Sequence, residues 1–231
     1  MKILICDDEE LIRNVIKEYL TLENFTIDEA EDGHIAVSKC KETHYDLIIM
    51  DIMMPHMDGI AALTKLREFS NVPVILLTAK SEDIDKVLGL TVGADDYITK
   101  PFNPIELQAR VKSQLRRYTQ LNPQSGAGNQ VKNEISIKGL TINKDNHKVT
   151  VYGEEIKLTP IEFDILYLLA SNPGRVFSTD EIFEKVWNEK VYEANNTVMV
   201  HIRRLRGKMK EDTRQDKIIT TVWGVGYKIE K

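Results

Sequence analysis

The chain has 231 residues, of which 42% are apolar and 29% are charged, and its net charge is −5 at pH 7. This length favours two domains of roughly 100 residues each, and the net negative charge excludes a polycation, so any surface for nucleic acid must be a local patch. No apolar run approaches the ~20 residues that cross a bilayer, and the N-terminus lacks a secretory signal pattern, so we expect a cytoplasmic protein.

Short apolar runs alternate with amphipathic stretches over residues 1–118, a pattern typical of βα units on a parallel sheet. Helical spacing is clear from Leu11 to Leu20 and again in Leu107, Val111 and Leu115. We therefore predict an α/β, doubly wound domain with five strands and five helices. The predicted strands are residues 3–6, about 26–30, 47–50, 74–78 and about 97–99.

Two cysteines occur in the chain, Cys6 in the first apolar run and Cys40 near the end of a helical stretch. Neither has the CxxC or His/Cys spacing of a metal site. We expect both to be buried, reduced thiols.

A polar, Gly-containing segment at residues 119–132 predicts a linker to a second domain at 133–231. Alternating residues over 135–158 indicate a small antiparallel sheet. Three helices follow: capping boxes begin the first two at Thr159 and Ser178, Pro160 suits the first helical position, and the third covers about 196–210. Residues 218–222 and 227–229 predict a hairpin, so the second domain is α+β.

Polar side chains follow the predicted parallel strands at their carboxyl ends, where such sheets bind ligands. Three of these side chains are carboxylates, and carboxylates this close together raise one another's pKa unless a cation lies between them. Their oxygens are the ligands that suit Mg²⁺. Asp51 would then attack phosphorus, Lys100 would offset phosphoryl charge, and Thr78 would donate its hydroxyl. Helix capping is an alternative for any single acid, but it does not explain the joint pattern. The set is Asp7 and Asp8 after the first strand, Asp51 after the third, Thr78 in the fourth and Lys100 after the fifth.

The order of these residues resembles the receiver family of two-component response regulators, over the whole first domain. The resemblance implies a CheY-like (flavodoxin-like) fold with Asp51 as the phosphoacceptor. It also implies that Asp8, Asp51 and the main-chain carbonyl of Met53 bind Mg²⁺, while Asp7 holds a metal-bound water. The matching motifs are Asp7-Asp8, Asp51, Met54-Pro55, Asp58-Gly59, Thr78-Ala79 and Lys100-Pro101-Phe102.

The same resemblance implies a cis peptide bond between Lys100 and Pro101. It also makes Tyr97 a switch residue, which turns inward as Thr78 reaches the phosphoryl group. An ordinary, partly buried tyrosine is the alternative for Tyr97.

Charges of both signs occur over residues 82–117, a pattern that is usual for a solvated face. Residues 93–102 and 106–110 closely resemble receivers of the OmpR/PhoB subfamily, which implies a dimer interface here. By that resemblance Lys86 pairs with Glu106, and Asp96 pairs with Arg110, across a two-fold axis.

One departure concerns Thr91, which stands where the subfamily often has an acid to pair with the late helical arginine, here Arg117. We therefore do not predict a third ion pair, between position 91 and Arg117, in the dimer interface. The run 89–117 is further similar to regulators of the VanR type.

The third predicted helix of the second domain has an apolar face and a basic face. Val198, Ile202, Leu205 and Met209 share one sector of a helical wheel, which predicts the core face. The basic face fits the DNA major groove, where arginine pairs with guanine and lysine binds phosphate. A merely solvated face, or one that meets an acidic protein, is the alternative. The predicted DNA contacts are Asn196, Thr197, Val200, His201, Arg203, Arg204 and Lys208.

Residues 158–163, 198–206 and 220–227 resemble the OmpR/PhoB winged helix-turn-helix domain. The resemblance implies a recognition helix in the major groove, a wing in the neighbouring minor groove and dimers on tandem half-sites. Thr221 and Trp223 are the predicted wing contacts. Because Trp223 replaces an arginine common in the family, packing of its indole against the third helix is the alternative.

Together these patterns predict a response regulator that is phosphorylated on Asp51 by a sensor histidine kinase, dimerises and binds promoter DNA, with RNA polymerase a further candidate partner. Its only chemistry would be Mg²⁺-dependent self-phosphorylation and acyl-phosphate loss, so we do not expect an enzyme. A phosphohydrolase is disfavoured because Ile52 and Met53 supply no general acid beside Asp51. A constitutive DNA binder with a vestigial receiver is disfavoured by the complete set of site residues.

Overall fold

The computed structural model describes residues 1–79, 92–121, 134–187, 195–211 and 217–231. The chain divides into two compact units, Met1–Tyr118 and Thr119–Lys231. Among the described residues, no helix is both long and apolar enough to span a membrane.

The first unit is a five-stranded parallel sheet with strand order β2-β1-β3-β4-β5. The order reverses between β1 and β3, which leaves a crevice at the carboxyl ends of these two strands. The predicted parallel sheet is confirmed. Its strands are β1 (Lys2–Cys6), β2 (Thr26–Ala30), β3 (Leu47–Asp51), β4 (Val74–Ala79) and β5 (Asp96–Lys100).

Helices cover both faces of this sheet, and every residue of β3 is therefore buried. The described helices are α1 (Glu10–Thr21), α2 (Gly33–Glu42), α3 (Gly59–Arg67) and α4 (Pro104–Leu121). The remaining predicted helix, between β4 and β5, falls on residues outside the described part. Helix α4 continues to Leu121, past the predicted domain end at residue 118.

Both cysteines are free thiols in this unit, as expected. Cys6 is fully buried, whereas Cys40 is only half-buried. Burial raises the pKa of Cys6 and raises that of Cys40 to about 11, so both stay protonated and unreactive at neutral pH.

The second unit contains the predicted antiparallel sheet, three helices and a terminal hairpin. The predicted core face of the third helix is confirmed, since Val198, Ile202, Leu205 and Met209 are all buried. The elements are β6 (Glu134–Ile137), β7 (Leu140–Asn143), β8 (Lys148–Val151), β9 (Glu154–Ile156), α5 (Pro160–Ala170), α6 (Thr179–Trp187), α7 (Asn195–Lys208), β10 (Ile219–Val222) and β11 (Gly226–Ile229).

Local side-chain bonds begin the first two helices of this unit where the capping patterns predict. The main-chain N–H of Thr159 donates to Glu162 Oε2 at 2.8 Å before α5, and the N–H of Glu181 donates to Ser178 Oγ at 3.1 Å before α6. The hairpin packs tightly on the chain before α6, because a Cβ at Gly226 would overlap the carbonyl of Phe177.

Candidate functional sites

Three carboxylates meet in the crevice between β1 and β3. Asp7 and Asp51 are buried and Asp8 is exposed. One oxygen from each lies within 4.8 Å of the other two. A cluster of hard oxygen ligands at this spacing fits a small divalent cation.

Lys100 joins two of these carboxylates from the end of β5. Its Nζ lies 2.8 Å from Asp7 Oδ2 and 2.9 Å from Asp51 Oδ1. The peptide bond that follows, to Pro101, is cis, as expected. Burial alone would lower the pKa of Lys100, but the hydrogen bonds to Asp7 and Asp51 outweigh burial and raise it, so the side chain stays cationic.

Burial lowers the pKa of a lysine but raises the pKa of a carboxyl group such as that of Asp51. It raises the pKa of this carboxyl to about 6; Lys100 lowers the pKa, and the nearby Asp7 and Asp8 raise it further. Without a bound metal ion, a fraction of Asp51 therefore stays protonated near neutral pH. A bound cation would favour the ionised carboxylate, which is the form that can act as a nucleophile.

The start of α3 supports the backbone of Asp51. The N–H of Gly59 donates to the carbonyl of Ile52 at 2.9 Å, and a Cβ at position 59 would overlap the carbonyl oxygen of Asp51. Asp58 begins the helix by accepting the N–H of Ala61 at 2.7 Å. The Asp58-Gly59 motif therefore serves a close packing contact at the site.

Three other residues are predicted to belong to the site. Thr78 is buried, and its hydroxyl donates to the carbonyl of Ala79 at 3.3 Å. Tyr97 is half-buried, and its inward turn stays a prediction. The side chain of Met53 is exposed, and the role of its main-chain carbonyl as a ligand also stays a prediction.

Sequence reasoning missed Arg13, which organises the acidic loop from α1. Its Nη1 donates to the carbonyls of Asp7 at 2.6 Å and Asp8 at 3.1 Å, and its Nε lies 3.3 Å from Glu29 Oε2 on β2. Arg13 thus fixes the main chain that presents both acids. No spacing signal relates an arginine inside α1 to these carbonyls.

The predicted dimer residues form ion pairs within one chain. Arg110 Nη1 lies 3.1 Å from Asp96 Oδ2, and Arg110 Nη2 lies 3.0 Å from Glu106 Oε1. Lys86 and Thr91 lie outside the described residues, as does the side chain of Arg117. Pairing across a two-fold axis stays a prediction.

The structure corrects two of the predicted DNA contacts on α7. Thr197 is 3% exposed and His201 is 0% exposed, so both are core residues. The ring of His201 packs against Trp187 of α6, with 5.6 Å between ring centroids. The helical wheel failed here because α7 packs against two helices, α5 and α6, rather than one.

The remaining predicted contacts on α7 divide into two groups. Arg203 is exposed and Val200 is partly exposed, as a DNA-facing surface requires. By contrast, the cationic ends of Arg204 and Lys208 approach the buried Glu162, at 3.0 and 2.6 Å, and contact of these two side chains with DNA stays a prediction. The side chain of Asn196 lies outside the described part.

The wing corresponds to the β10–β11 hairpin. Thr221 Oγ1 accepts a hydrogen bond from Arg206 Nη2 at 2.8 Å, which ties β10 to α7. Trp223 is 90% exposed at the turn, so the alternative that its indole packs against α7 is wrong.

Comparisons with known proteins agree with this architecture. Residues 3–112 match the family described as response regulator receiver domain, and residues 153–229 match the family described as transcriptional regulatory protein, C terminal. Regulatory protein VanRc of Enterococcus gallinarum is 47% identical over 230 residues, covering 100% of this chain and 99% of the relative. Transcriptional regulatory protein ResD of Bacillus subtilis (strain 168) is 44% identical over 230 residues, covering 99% and 95%.

Two solved structures match this chain over its full length. A mutant of RitR has a TM-score of 0.75 at 26% identity, covering 100% of this chain and 99% of the other. DrrB, described as a Thermotoga maritima OmpR/PhoB homologue, has a TM-score of 0.51 at 31% identity with the same coverage. The similarity to VanR regulators is confirmed, although ResD is nearly as similar. The chain belongs to the two-component response regulators of the OmpR/PhoB type, with a receiver domain followed by a winged-helix DNA-binding domain that regulates transcription.

Proposed function

We propose that this response regulator accepts a phosphoryl group from a sensor histidine kinase on Asp51, and that phosphorylation controls dimerisation and promoter binding. The observation that carries the proposal is the joint placement of Asp7, Asp8, Asp51 and Lys100 at one end of the sheet. Buried acids and a cation so arranged match the needs of phosphoryl transfer, in which positioning and charge neutralisation dominate.

The acidic cluster is suited to Mg²⁺, which Asp7, Asp8 and Asp51 would hold together with the main-chain carbonyl of Met53. When bound, Mg²⁺ supplies positive charge beside the phosphoryl oxygens. An oxygen of Asp51 attacks phosphorus as the bond to the donor's leaving group breaks, and the product is an acyl phosphate. The Lys100 ammonium faces Asp51 and offsets the charge of the transferred group.

The chemistry ends at this acyl phosphate and its loss by hydrolysis, so we do not class the protein as an enzyme. A phosphohydrolase needs a general acid beside its nucleophile. The two residues after Asp51 are Ile52, which is buried, and Met53, neither of which carries a proton donor.

Phosphorylation would reach the dimer face through β4 and β5. The new oxygens can accept a hydrogen bond from the Thr78 hydroxyl, which now bonds its neighbour's carbonyl, and Tyr97 would turn inward behind it. Asp96, Glu106 and Arg110 would then exchange their internal pairs for pairs across a two-fold axis, joined by Lys86.

DNA would be contacted by α7 and the hairpin. The exposed Arg203 and the partly exposed Val200 face outward from α7 toward base edges in the major groove, while Thr221 and Trp223 bring the wing to the minor groove. Dimers would occupy tandem half-sites and position RNA polymerase. Because the partner is promoter DNA, we propose a cytoplasmic location.

The direct test is incubation of the full chain with Mg²⁺ and acetyl phosphate, followed by intact-mass measurement. Wild type should gain one phosphoryl group, and Asp51→Asn should gain none. Asp58→Asn is the matched control, because it neutralises an exposed acid in the same loop while asparagine can still cap α3. Phosphorylation of Asp51→Asn would contradict the assignment of Asp51 as the phosphoacceptor. Phosphorylation of wild type in excess chelator would contradict the need for Mg²⁺.

A further inference from the structure

A carboxylate lies fully buried in the second unit at the start of α5. Glu162 is flanked by the core residues Ile161 and Phe163, and it has no solvent exposure. Its Oε2 accepts the main-chain N–H of Thr159 at 2.8 Å. An ionised group at such a place is costly unless cations accompany it.

The cations come from α7, the helix with the exposed Arg203. Arg204 Nη2 lies 3.0 Å from Glu162 Oε1, and Lys208 Nζ lies 2.6 Å from Oε2. The side chains of Arg204 and Lys208 are only 11% and 29% exposed. Four residues apart, they lie on one face of the helix about one turn from each other, so one carboxylate pairs with two successive turns of α7.

Electrostatics favour this arrangement over a neutral acid. Burial alone would raise the pKa of Glu162, but Arg204 and Lys208 outweigh it and bring the pKa below its ordinary value. Both cations are therefore drawn inward at neutral pH rather than outward to a polyanion.

On the opposite side of α7, Arg206 hydrogen-bonds the β10–β11 hairpin. Arg206 Nη2 donates to the carbonyl of Ile219 and to Thr221 Oγ1, each at 2.8 Å. Its Nε lies 3.6 Å from Glu211, a buried acid that also accepts the N–H of Ile219 at 3.1 Å. Helix α7 is thus held between α5 and the hairpin by its own positive charges, while Arg203 stays exposed.

We propose that Glu162 is a positioning residue for DNA recognition, which sets through Arg204 and Lys208 the orientation in which α7 presents Arg203 and Val200 to base edges. The proposal rests on the proposed function, in which α7 enters the major groove. Base contacts read the sequence through hydrogen bonds of defined geometry, whereas phosphate contacts carry no sequence information directly. Breaking an ion pair between Glu162 and α7 therefore lowers discrimination between DNA sequences more than it lowers general affinity for DNA.

The first test is Lys208→Met in the full chain, which removes one tie while Arg204 still pairs with the buried carboxylate. The probes are a duplex that wild type enriches from a random-sequence pool and a scrambled duplex of the same composition, each titrated at several salt concentrations. The affinity ratio between the two duplexes should fall about tenfold, the scale of one weakened base contact. Affinity for the scrambled duplex and its salt slope should not change.

A different result would overturn the proposal. If Lys208 were simply a phosphate contact, both duplexes would weaken equally and the salt slope would fall by about one. If wild type enriches no duplex at all, the proposed function itself fails, and this inference fails with it.

The second test is Glu162→Gln, checked for folding by thermal melting. Release of Arg204 and Lys208 should strengthen binding to the scrambled duplex and steepen its salt dependence, while the affinity ratio falls. The matched control is Glu154→Gln, because Glu154 pairs with Lys210 at 2.8 Å with both side chains exposed. An unchanged ratio in folded Glu162→Gln, or an equal fall in the control, would contradict the proposal; if this variant does not fold, Lys208→Met decides.

Discussion

At Asp51, the proposed phosphoacceptor, burial and charge act against each other. Asp51 is the last residue of β3 and packs against the start of α3, where desolvation favours its protonated form. Lys100 opposes this effect but is shared with Asp7. The three carboxylates therefore carry more negative charge than Lys100 neutralises, and this is the physical reason for expecting Mg²⁺ in a receiver with these residues.

The raised pKa of Asp51 predicts a stability change with pH in metal-free protein. Because the folded pKa is about 6 and lies above the unfolded value of 3.8, protonation stabilises the fold at low pH, and this contribution is lost as pH rises through about 6. After allowance for solvent screening, the ionised form should cost on the order of 2 kcal/mol. In urea titrations with chelator, Asp51→Asn should be more stable than wild type at pH 7.5, and the gap should close toward pH 4. Equal stabilities at pH 7.5 would show that Lys100 compensates fully.

We predict that position 59 tolerates no residue larger than glycine. In Gly59→Ala the new Cβ would overlap the Asp51 carbonyl, so backbone must shift at the phosphoacceptor. We expect a loss of about 1–3 kcal/mol in unfolding free energy and slower phosphorylation by acetyl phosphate. Gly207→Ala is the control, because nothing lies within 4 Å of its added Cβ and alanine favours the helix. Phosphorylation of Gly59→Ala at the wild-type rate would refute the packing argument.

Among the elements of the first unit, α3 is joined to the sheet by one arginine. Arg67 Nε donates to the carbonyl of Gly93 at 2.9 Å, and its Nη1 donates to that of Val72 at 2.8 Å. Its Nη2 lies 3.0 Å from Asp95, which is buried and also accepts the N–H of Val74. The end of α3 and the segments before β4 and β5 therefore depend on the same side chain.

Arg67→Met should destabilise the first unit strongly. The substitution removes the cation 3.0 Å from the buried Asp95 and also removes donors from main-chain carbonyls, so we expect a loss of about 3–5 kcal/mol in urea unfolding. Lys148→Met, which breaks an exposed pair with Glu155, should cost less than about 1 kcal/mol. If the two variants lost similar amounts of unfolding free energy, the pair of Arg67 with Asp95 would contribute no more to stability than an exposed ion pair.

Local patterns predicted these elements well, because periodicity and turn chemistry act within a few residues. The strands, the helix starts at Thr159 and Ser178, and the terminal hairpin all follow such patterns. The acidic cluster was predictable for a related reason, since parallel strands place their following residues at one edge of the sheet.

Tertiary pairing could not be predicted in the same way. A helical wheel assigns one buried face, but α7 packs on two helices, which buries His201 against Trp187. Lys208 and Glu162 are 46 residues apart, and no local rule pairs them. One signal was present: Glu162 stands between the apolar residues of a helix start, where a charge needs a partner as well as a capping role.

For the whole molecule, the net charge of −5 and the binding of DNA are compatible because charge is distributed locally. Several cations of α7 hold the helix in place, which leaves fewer for the DNA surface than the sequence suggests. Affinity of a single chain for DNA should therefore be modest, and pairing of two chains on tandem half-sites should raise it. In the proposed function, phosphorylation of one unit would govern DNA binding by the other in this way.

The most direct measurement compares wild type with Asp51→Ala for DNA affinity and molecular mass, each with and without Mg²⁺ and acetyl phosphate, on promoter fragments from the source genome. We predict that only phosphorylated wild type gains both dimer mass and affinity. If both proteins bind equally well with and without the donor, Asp51 does not control DNA binding, and the protein is a constitutive DNA binder.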